Sequence, residues 1–308
     1  MDKRKLGDSG INVAPFCFGG NVFGWTADEA TSSALLDAFI GAGFDFIDTA
    51  DSYSAWAPGH TGGESETILG NWLAARGGRE KVVIATKVGM WKTQPGLKAA
   101  NIIAACEGSL KRLRTDYIDL YQSHRDDPET AQEETLEAFS KLRAAGKVRA
   151  IGASNFEVPR LKAALDASRT RRLSHYATLQ PLYNLVDRDF EKELQPLCVA
   201  EGIGVIPYFA LASGFLTGKY RKEADLKGRA RSASASRYLT PENFAVLDRL
   251  ESVAKARGVA MVEVAFAWLR DRASVVAPIA SATTVDQLKS LLHAATLNLT
   301  PAEVAALG

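Results

Sequence analysis

The stretch FDFIDTADSY, residues 44–53, begins as a buried strand and ends in two aspartates, a serine and a tyrosine. A strand that is only structural can finish in any Gly, Pro or Asn turn, so this polar ending asks for a reason. Outward from it, similar apolar runs recur at regular spacing: VAPFCFG (13–19), FDFIDTA (44–50), KVVIATKV (81–88), YIDLYQSH (117–124), VRAIGAS (148–154), HYATLQPLY (175–183), GVIPYFAL (204–211) and SVVAPIAS (274–281). Stretches of helical period lie between them. In EATSSALLDAFIGAG (29–43) the residues Leu35, Leu36, Phe39 and Ile40 share a face; in TAQEETLEAFSKLRAAG (130–146) Leu136, Phe139 and Leu142 do, with Gly146 as the C-cap.

Strands apolar on both faces, alternating with helices, specify a parallel sheet covered by helices, and eight such units specify closure into a barrel. The fold class expected is α/β, a (β/α)8 TIM barrel with an N-terminal β-hairpin, Arg4–Leu6 and Ile11–Val13, around GDSG. Length alone, 308 residues, permits two domains, but barrels of this size are single, so residues 1–308 are expected to form one domain. A doubly wound open sheet is the alternative, and no G-x-G-x-x-G follows the first strand. Two long loops, SAWAPGHTGGES and the segment 212–240, follow strand C-termini, the face on which barrel enzymes build their sites; 212–240 is the expected lid over cofactor or substrate.

Hydrophobic residues make up 46% of the chain and charged ones 24%, as in an ordinary globular protein. Lys plus Arg, 37, almost cancels Asp plus Glu, 36, which excludes the basic footprint of a nucleic-acid binder. The charged start MDKRKLGDSG leads into no apolar signal segment, and nowhere do about 18 apolar residues run together, so a cytoplasmic protein without membrane contact is expected. Cys17, Cys106 and Cys198 are far apart inside apolar segments and read as small buried hydrophobes.

Polar residues collect at strand ends: Asp48 and Tyr53 after the second, Lys87 in the third, His124 ending the fourth, Ser154 and Asn155 ending the fifth, Gln180 in the sixth. Each alone has a bland reading, a half-buried ion pair for Lys87 or a satisfied core histidine for His124. Repetition on one rim changes the odds. An ammonium beside a tyrosine favours the phenolate and lowers its pKa from ~10. Lys87 supplies that field in this reading, Asp48 holds the lysine, and His124 donates to a substrate oxygen. The device suits a carbonyl becoming an alcohol, but lacks a hydride.

GFDFIDTADSY, IATKVG, DLYQSHRDD, GKVRAIGASNF, LQPLYNL, PYFALASGFLTGKY and VVAPIASATTVDQL, in this order, resemble the motifs of the aldo-keto reductase superfamily across essentially the whole chain. The resemblance implies a nicotinamide-dependent barrel with the catalytic tetrad Asp48, Tyr53, Lys87 and His124. It further implies that Ser154, Asn155 and Gln180 bond the carboxamide, that Tyr208 stacks on the nicotinamide, and that Gly20 and Asn21 lie nearby. Ser281, Thr283 and Gln287 meet the adenosine end. Relatives often read Tyr-Ser-Pro-Leu where this chain has Tyr208, Phe209, Ala210 and Leu211; Phe209 and Leu211 are counted with the cofactor residues. No arginine stands near Thr283 to grip a 2′-phosphate, and Lys219 with Arg229 or Arg231 is the expected compensation, Arg229 at the spacing used in a related branch. The cofactor expected is NADP(H), with NAD(H) the alternative. Trp25, Trp56 and Trp91 follow strand ends and suit an apolar or sugar-like carbonyl substrate. The expected activity is interconversion of an aldehyde or ketone with its alcohol. One branch of the superfamily serves as the cytoplasmic β subunit of potassium channels, which makes a cofactor-sensing partner subunit with little turnover the alternative; that branch departs at the histidine present here as His124. A Schiff-base aldolase built on Lys87 is a third reading, against which the ordered cofactor motifs stand.

Overall fold

The computed structural model describes residues 2–308. Eight strands form one sheet: β1 (Cys17–Gly19), β2 (Phe46–Asp48), β3 (Val83–Val88), β4 (Ile118–Ser123), β5 (Val148–Ser154), β6 (Tyr176–Gln180), β7 (Gly204–Val205) and β8 (Ile279–Ala280). Each pairs in parallel with its neighbours in the chain, and β8 returns to pair with β1 through Ile279–Cys17 and Ala280–Phe18. A parallel bridge between Val205 and Val275 joins β7 to the chain entering β8 and completes the ring. Helices cover the outside: α1 (Glu29–Gly41), α2 (Glu64–Arg76), α3 (Ala99–Leu113), α4 (Gln132–Ala144), α5 (Val158–Arg171), α6 (Leu194–Glu201), the short α7 (Ser232–Ser236), α8 (Pro241–Arg257), α9 (Met261–Arg270), α10 (Val285–Ala294) and α11 (Pro301–Leu307). This is the (β/α)8 barrel expected from the strand count, with the antiparallel hairpin Arg4–Lys5 and Asn12–Val13 at its start.

The strands are shorter than the apolar runs, for a physical reason. Pro207 has no N–H to give a ladder and Phe209 sits at φ 56°, so the regular strand of the seventh run stops at Val205 and the chain returns to the sheet as a single bridge from Tyr208 to Leu182. Pro278 likewise delays β8 to Ile279. Only the fifth run, Val148–Ser154, is strand throughout.

Apolar residues sort into two layers. Phe16, Phe18, Leu35, Leu36, Phe39, Ile84, Leu136 and Phe139 belong to the layer between sheet and helices. Phe46, Ala85, Leu120, Ala150 and Ile206 belong to the interior of the ring, where Leu6, Ile11 and Val13 of the hairpin join them as a plug. Gly7 makes that plug fit: at φ 58°, a Cβ there would lie 2.0 Å from the carbonyl oxygen of Ala177. In α1, Asp28 caps Thr31 N at 2.8 Å; Leu35, Leu36 and Phe39 are buried, while Ile40 is half-exposed at the edge of the face. Gly146, at φ 73°, follows the C-cap Ala145 of α4. The three cysteines are free and buried. Among the described residues no helix is long and apolar enough to cross a membrane.

Candidate active site

β2 and β3 run side by side with Asp48 opposite Ala85, and both carry their polar ends to the same rim. Lys87 is wholly buried and spends its three donors on Asp48 Oδ2 (2.6 Å), Thr49 O (2.8 Å) and Tyr53 OH (2.8 Å). Tyr53 OH donates in turn to Asp48 Oδ2 at 3.2 Å. The other carboxylate oxygen, Oδ1, accepts from Gln180 Nε2 (2.9 Å) and Gln122 Nε2 (3.3 Å). Asp48 is therefore a fully hydrogen-bonded buried carboxylate, and the one that keeps the lysine ammonium compensated. His124, at the end of β4, lies with its ring 5.8 Å from that of Tyr53, edge to face.

The electrostatics differ from the sequence expectation at one point. Burial, then the Asp48 carboxylate, hold the Tyr53 phenol well above its usual pKa, so the expected lowering by the ammonium is not met. Burial also lowers the Lys87 pKa, against the pull of Asp48. His124 is pushed well below the usual imidazole range by burial, Lys87 and Arg125, and its ring is neutral; its Nδ1 has no partner. The site thus holds a protonated phenol and a neutral imidazole over a buried ion pair.

Next to it, Ser154 Oγ donates to Gln180 O (2.8 Å), and Asn155 Nδ2 donates to His124 O (3.0 Å) and Ser154 Oγ (3.1 Å). Tyr208 OH donates to Asn155 Oδ1 at 2.8 Å, its ring half-exposed at the mouth. Asn155 itself sits at φ 55°, a left-handed position that asparagine tolerates. Gly20 and Asn21 turn out of β1, and Asn21 Oδ1 accepts from Ser281 Oγ (2.6 Å) beyond β8. Gly19 is confined there: a Cβ would lie 2.6 Å from Ser281 Oγ. Thr283 N and Oγ1 donate to Gln287 Oε1 at 3.0 and 3.2 Å, and Thr284 caps α10. Side-chain amides, hydroxyls and an aromatic face gathered beside the phenol form a donor set that fits a nicotinamide carboxamide and ring.

Phe209, Ala212 and Ser213 all adopt positive φ, at 56°, 47° and 57°, so strained backbone follows β7 directly. Phe209 gives its carbonyl to Asn184 Nδ2 (3.0 Å) and its ring packs 5.2 Å from Tyr208; Leu211 is half-buried. Lys219 is exposed, its ammonium over the Tyr220 ring. Arg229 is exposed, whereas Arg231 is half-buried, where desolvation lowers its pKa. Among the tryptophans, Trp25 and Trp56 meet edge to face at 5.6 Å, and Trp56 leans on Tyr53 at 5.9 Å. The Trp91 indole N–H donates to Thr61 O (2.7 Å) and its ring lies under the Arg112 guanidinium.

Several residues escaped the sequence reading. Gln122 completes the shell of Asp48 from an inward position of β4, where a polar residue inside an apolar run was the available signal. Behind the site, Glu66 accepts from Arg112 Nε (2.7 Å) and Thr86 Oγ1 (2.5 Å). Asp51 lies close by, completely buried, with both carboxyl oxygens unpartnered; burial first, then Glu66, raise its pKa to about 8.

The profile of the aldo/keto reductase family matches residues 15–308. An uncharacterized oxidoreductase of Bacillus subtilis, YrpG, is 36% identical over 97% of this chain and 92% of its own length. Aldo-keto reductase YhdN of the same organism is 34% identical over 94% of this chain and 88% of its own length. Norsolorinic acid reductase B of Aspergillus parasiticus is 32% identical over 96% and 80%. A family match across almost the whole chain, together with relatives of this identity and coverage, means that the chain belongs to the aldo/keto reductase family.

Proposed function

We propose that the protein is an NADP(H)-dependent oxidoreductase that interconverts an aldehyde or ketone with its alcohol, with Tyr53 as the proton donor. The observation that carries the reading is the Asp48–Lys87–Tyr53 triangle, closed at 2.6, 2.8 and 3.2 Å beside His124 on the C-terminal rim of the barrel. Bound nicotinamide supplies the hydride. Ser154, Asn155 and Gln180 hold its carboxamide, and Tyr208 fixes which ring face is offered; the remaining work is done by the chain's own groups. Neutral His124 donates a ring N–H to the carbonyl oxygen, and the Tyr53 phenol gives up its proton as negative charge develops there. A phenol with a raised pKa still protonates an alkoxide, a far stronger base. The reverse step needs the phenolate, which a raised pKa makes scarce near neutrality, so alcohol oxidation should speed up as pH rises.

Lys219 and Arg231 are assigned to the cofactor phosphates, with 212–240 as the covering segment. Arg231 takes precedence over Arg229, because a half-buried guanidinium without an anion is costly and an exposed one is not. Arg231→Ala should raise the Kd for NADPH by about tenfold or more and that for NADH by far less, the loss of a charge-assisted contact. Equal weakening of both nucleotides, read by fluorescence titration, would move Arg231 away from the 2′-phosphate. The cytoplasm is the proposed compartment, where buried free cysteines stay reduced.

The test of the whole reading is titration with NADPH and NADH, then nucleotide oxidation with a panel of aldehydes and ketones. NADPH binding with turnover supports it. Tight nucleotide binding without turnover on any carbonyl would favour a cofactor-sensing subunit instead, and absence of nucleotide binding would overturn both.

A further inference from the structure

Arg125 follows His124 directly and is exposed. The two carboxylates next to it in sequence are turned to other partners. Asp126 accepts from Arg160 Nε (2.6 Å) and Nη2 (2.9 Å) and from Gln132 Nε2 (3.0 Å). Asp127 accepts from Leu97 N (2.7 Å), Thr130 Oγ1 (2.7 Å) and Glu129 N (3.2 Å). Arg125 is left without a hydrogen-bonded acceptor among the described residues, although two acidic side chains follow it in the chain. It lines, with Gly89, Gly96, Leu97, Asp126, Asp127 and Pro128, a recess of about 220 Å³ between the loops that follow β3 and β4, and both aspartates there are already engaged by the donors just named. Those are the loops that carry on from Lys87 and His124. Its charge reaches the site, contributing to the lowering of the His124 pKa.

From this arrangement, and resting on the carbonyl reduction proposed above, we propose that Arg125 selects carbonyl substrates that carry a carboxylate. The planar guanidinium matches a carboxylate through two parallel N–H donors, and it stands on the same rim as the group that would hold the carbonyl oxygen. The recess has room for the carboxylate and part of a spacer. A phosphate monoester fits less well: its second charge would face Asp126 and Asp127 with one free cation to answer it. The half-buried Trp25 and the exposed Trp56 wall the mouth near Tyr53 and suit an aromatic or extended apolar spacer between the two ends.

The test compares kcat/KM for 4-carboxybenzaldehyde and 4-methylbenzaldehyde, similar in size and different in charge, at saturating NADPH. The wild type should prefer the carboxylated aldehyde by about tenfold or more, mainly through KM. The preference should shrink as salt rises from about 50 to about 300 mM. Arg125→Met should bring the ratio of the two toward one, and Arg125→Lys should keep part of it, a point charge in place of a fork. Because Arg125 is exposed, neither change should disturb folding. Absence of a preference in the wild type, or equal loss on both aldehydes in Arg125→Met, would overturn the assignment while leaving carbonyl reduction intact. If the wild type reduces neither aldehyde nor any other carbonyl of the panel, carbonyl reduction itself falls and the assignment with it.

Discussion

Tyr53→Phe should cut carbonyl reduction by about a thousandfold while leaving NADPH binding within about twofold of the wild type. The substitution removes one oxygen and little else. The ring keeps its packing against Trp56 and His124, at 5.9 and 5.8 Å between centroids. Lys87 loses one of three acceptors but keeps Asp48 and Thr49, so the buried ion pair survives. What disappears is the proton. A transition state that builds negative charge on the carbonyl oxygen loses its acid, so the loss should fall on kcat and kcat/KM together rather than on KM alone. Single-turnover rates with saturating NADPH would read the effect, and a rate near that of the wild type would remove Tyr53 from the role. Because the phenol pKa lies well above its usual value, no step in the pH profile of reduction below pH 9 should belong to Tyr53.

The second large effect concerns stability. Asp51 is completely buried and its carboxyl oxygens have no hydrogen-bond partner among the described residues, with Glu66, Arg112, Lys87 and Tyr121 the ionisable groups around it. Its pKa is about 8 in the folded protein against 3.8 for an ordinary aspartate, so the native state holds a proton that the unfolded chain releases. The sign follows. Stability from this group is complete below pH ~4, declines as pH rises, and is lost once pH passes about 8, over a total on the order of 5 kcal/mol. Asp51→Asn mimics the protonated acid and cannot ionise. It should match the wild type within about 1 kcal/mol near pH 4 and unfold several degrees higher at pH 9. Thermal unfolding monitored across that range is the measurement; parallel curves for the two proteins would show that Asp51 is ionised throughout.

What the sequence made legible, and what it hid, separates along physical lines. Strands buried on both faces leave an unmistakable apolar run, so eight could be counted and the barrel inferred. Their ends could not, because Pro207 and Pro278 break ladders without breaking hydrophobicity. Asp48, Lys87 and His124 stood out because each puts polarity at a strand end that should be apolar, Tyr53 because it follows such an end, and the structure brings all four together. Trp91 has partners the sequence did not show: its indole N–H donates to Thr61 and its ring lies under Arg112. The direction of the Tyr53 pKa was missed because a sequence shows the neighbouring ammonium and not the cost of burial. Asp51 and the Glu66–Arg112 pair were invisible for a related reason, since a charged residue acquires its meaning from partners on other elements.

The ring closes on its last side without a regular ladder: Val205 N to Ser274 O, Val276 N to Val205 O and Ile279 N to Pro207 O, all at 2.8 Å. Single backbone bonds in place of a continuous ladder make this a seam where amide protection should be low and breathing can start. The residues assigned to the nucleotide stand on both banks of it, Tyr208 to Lys219 on one and Ser281 to Gln287 on the other. A dinucleotide bound to both would act as a clasp across the seam, so that the molecule which brings the reducing power would also fasten the barrel shut.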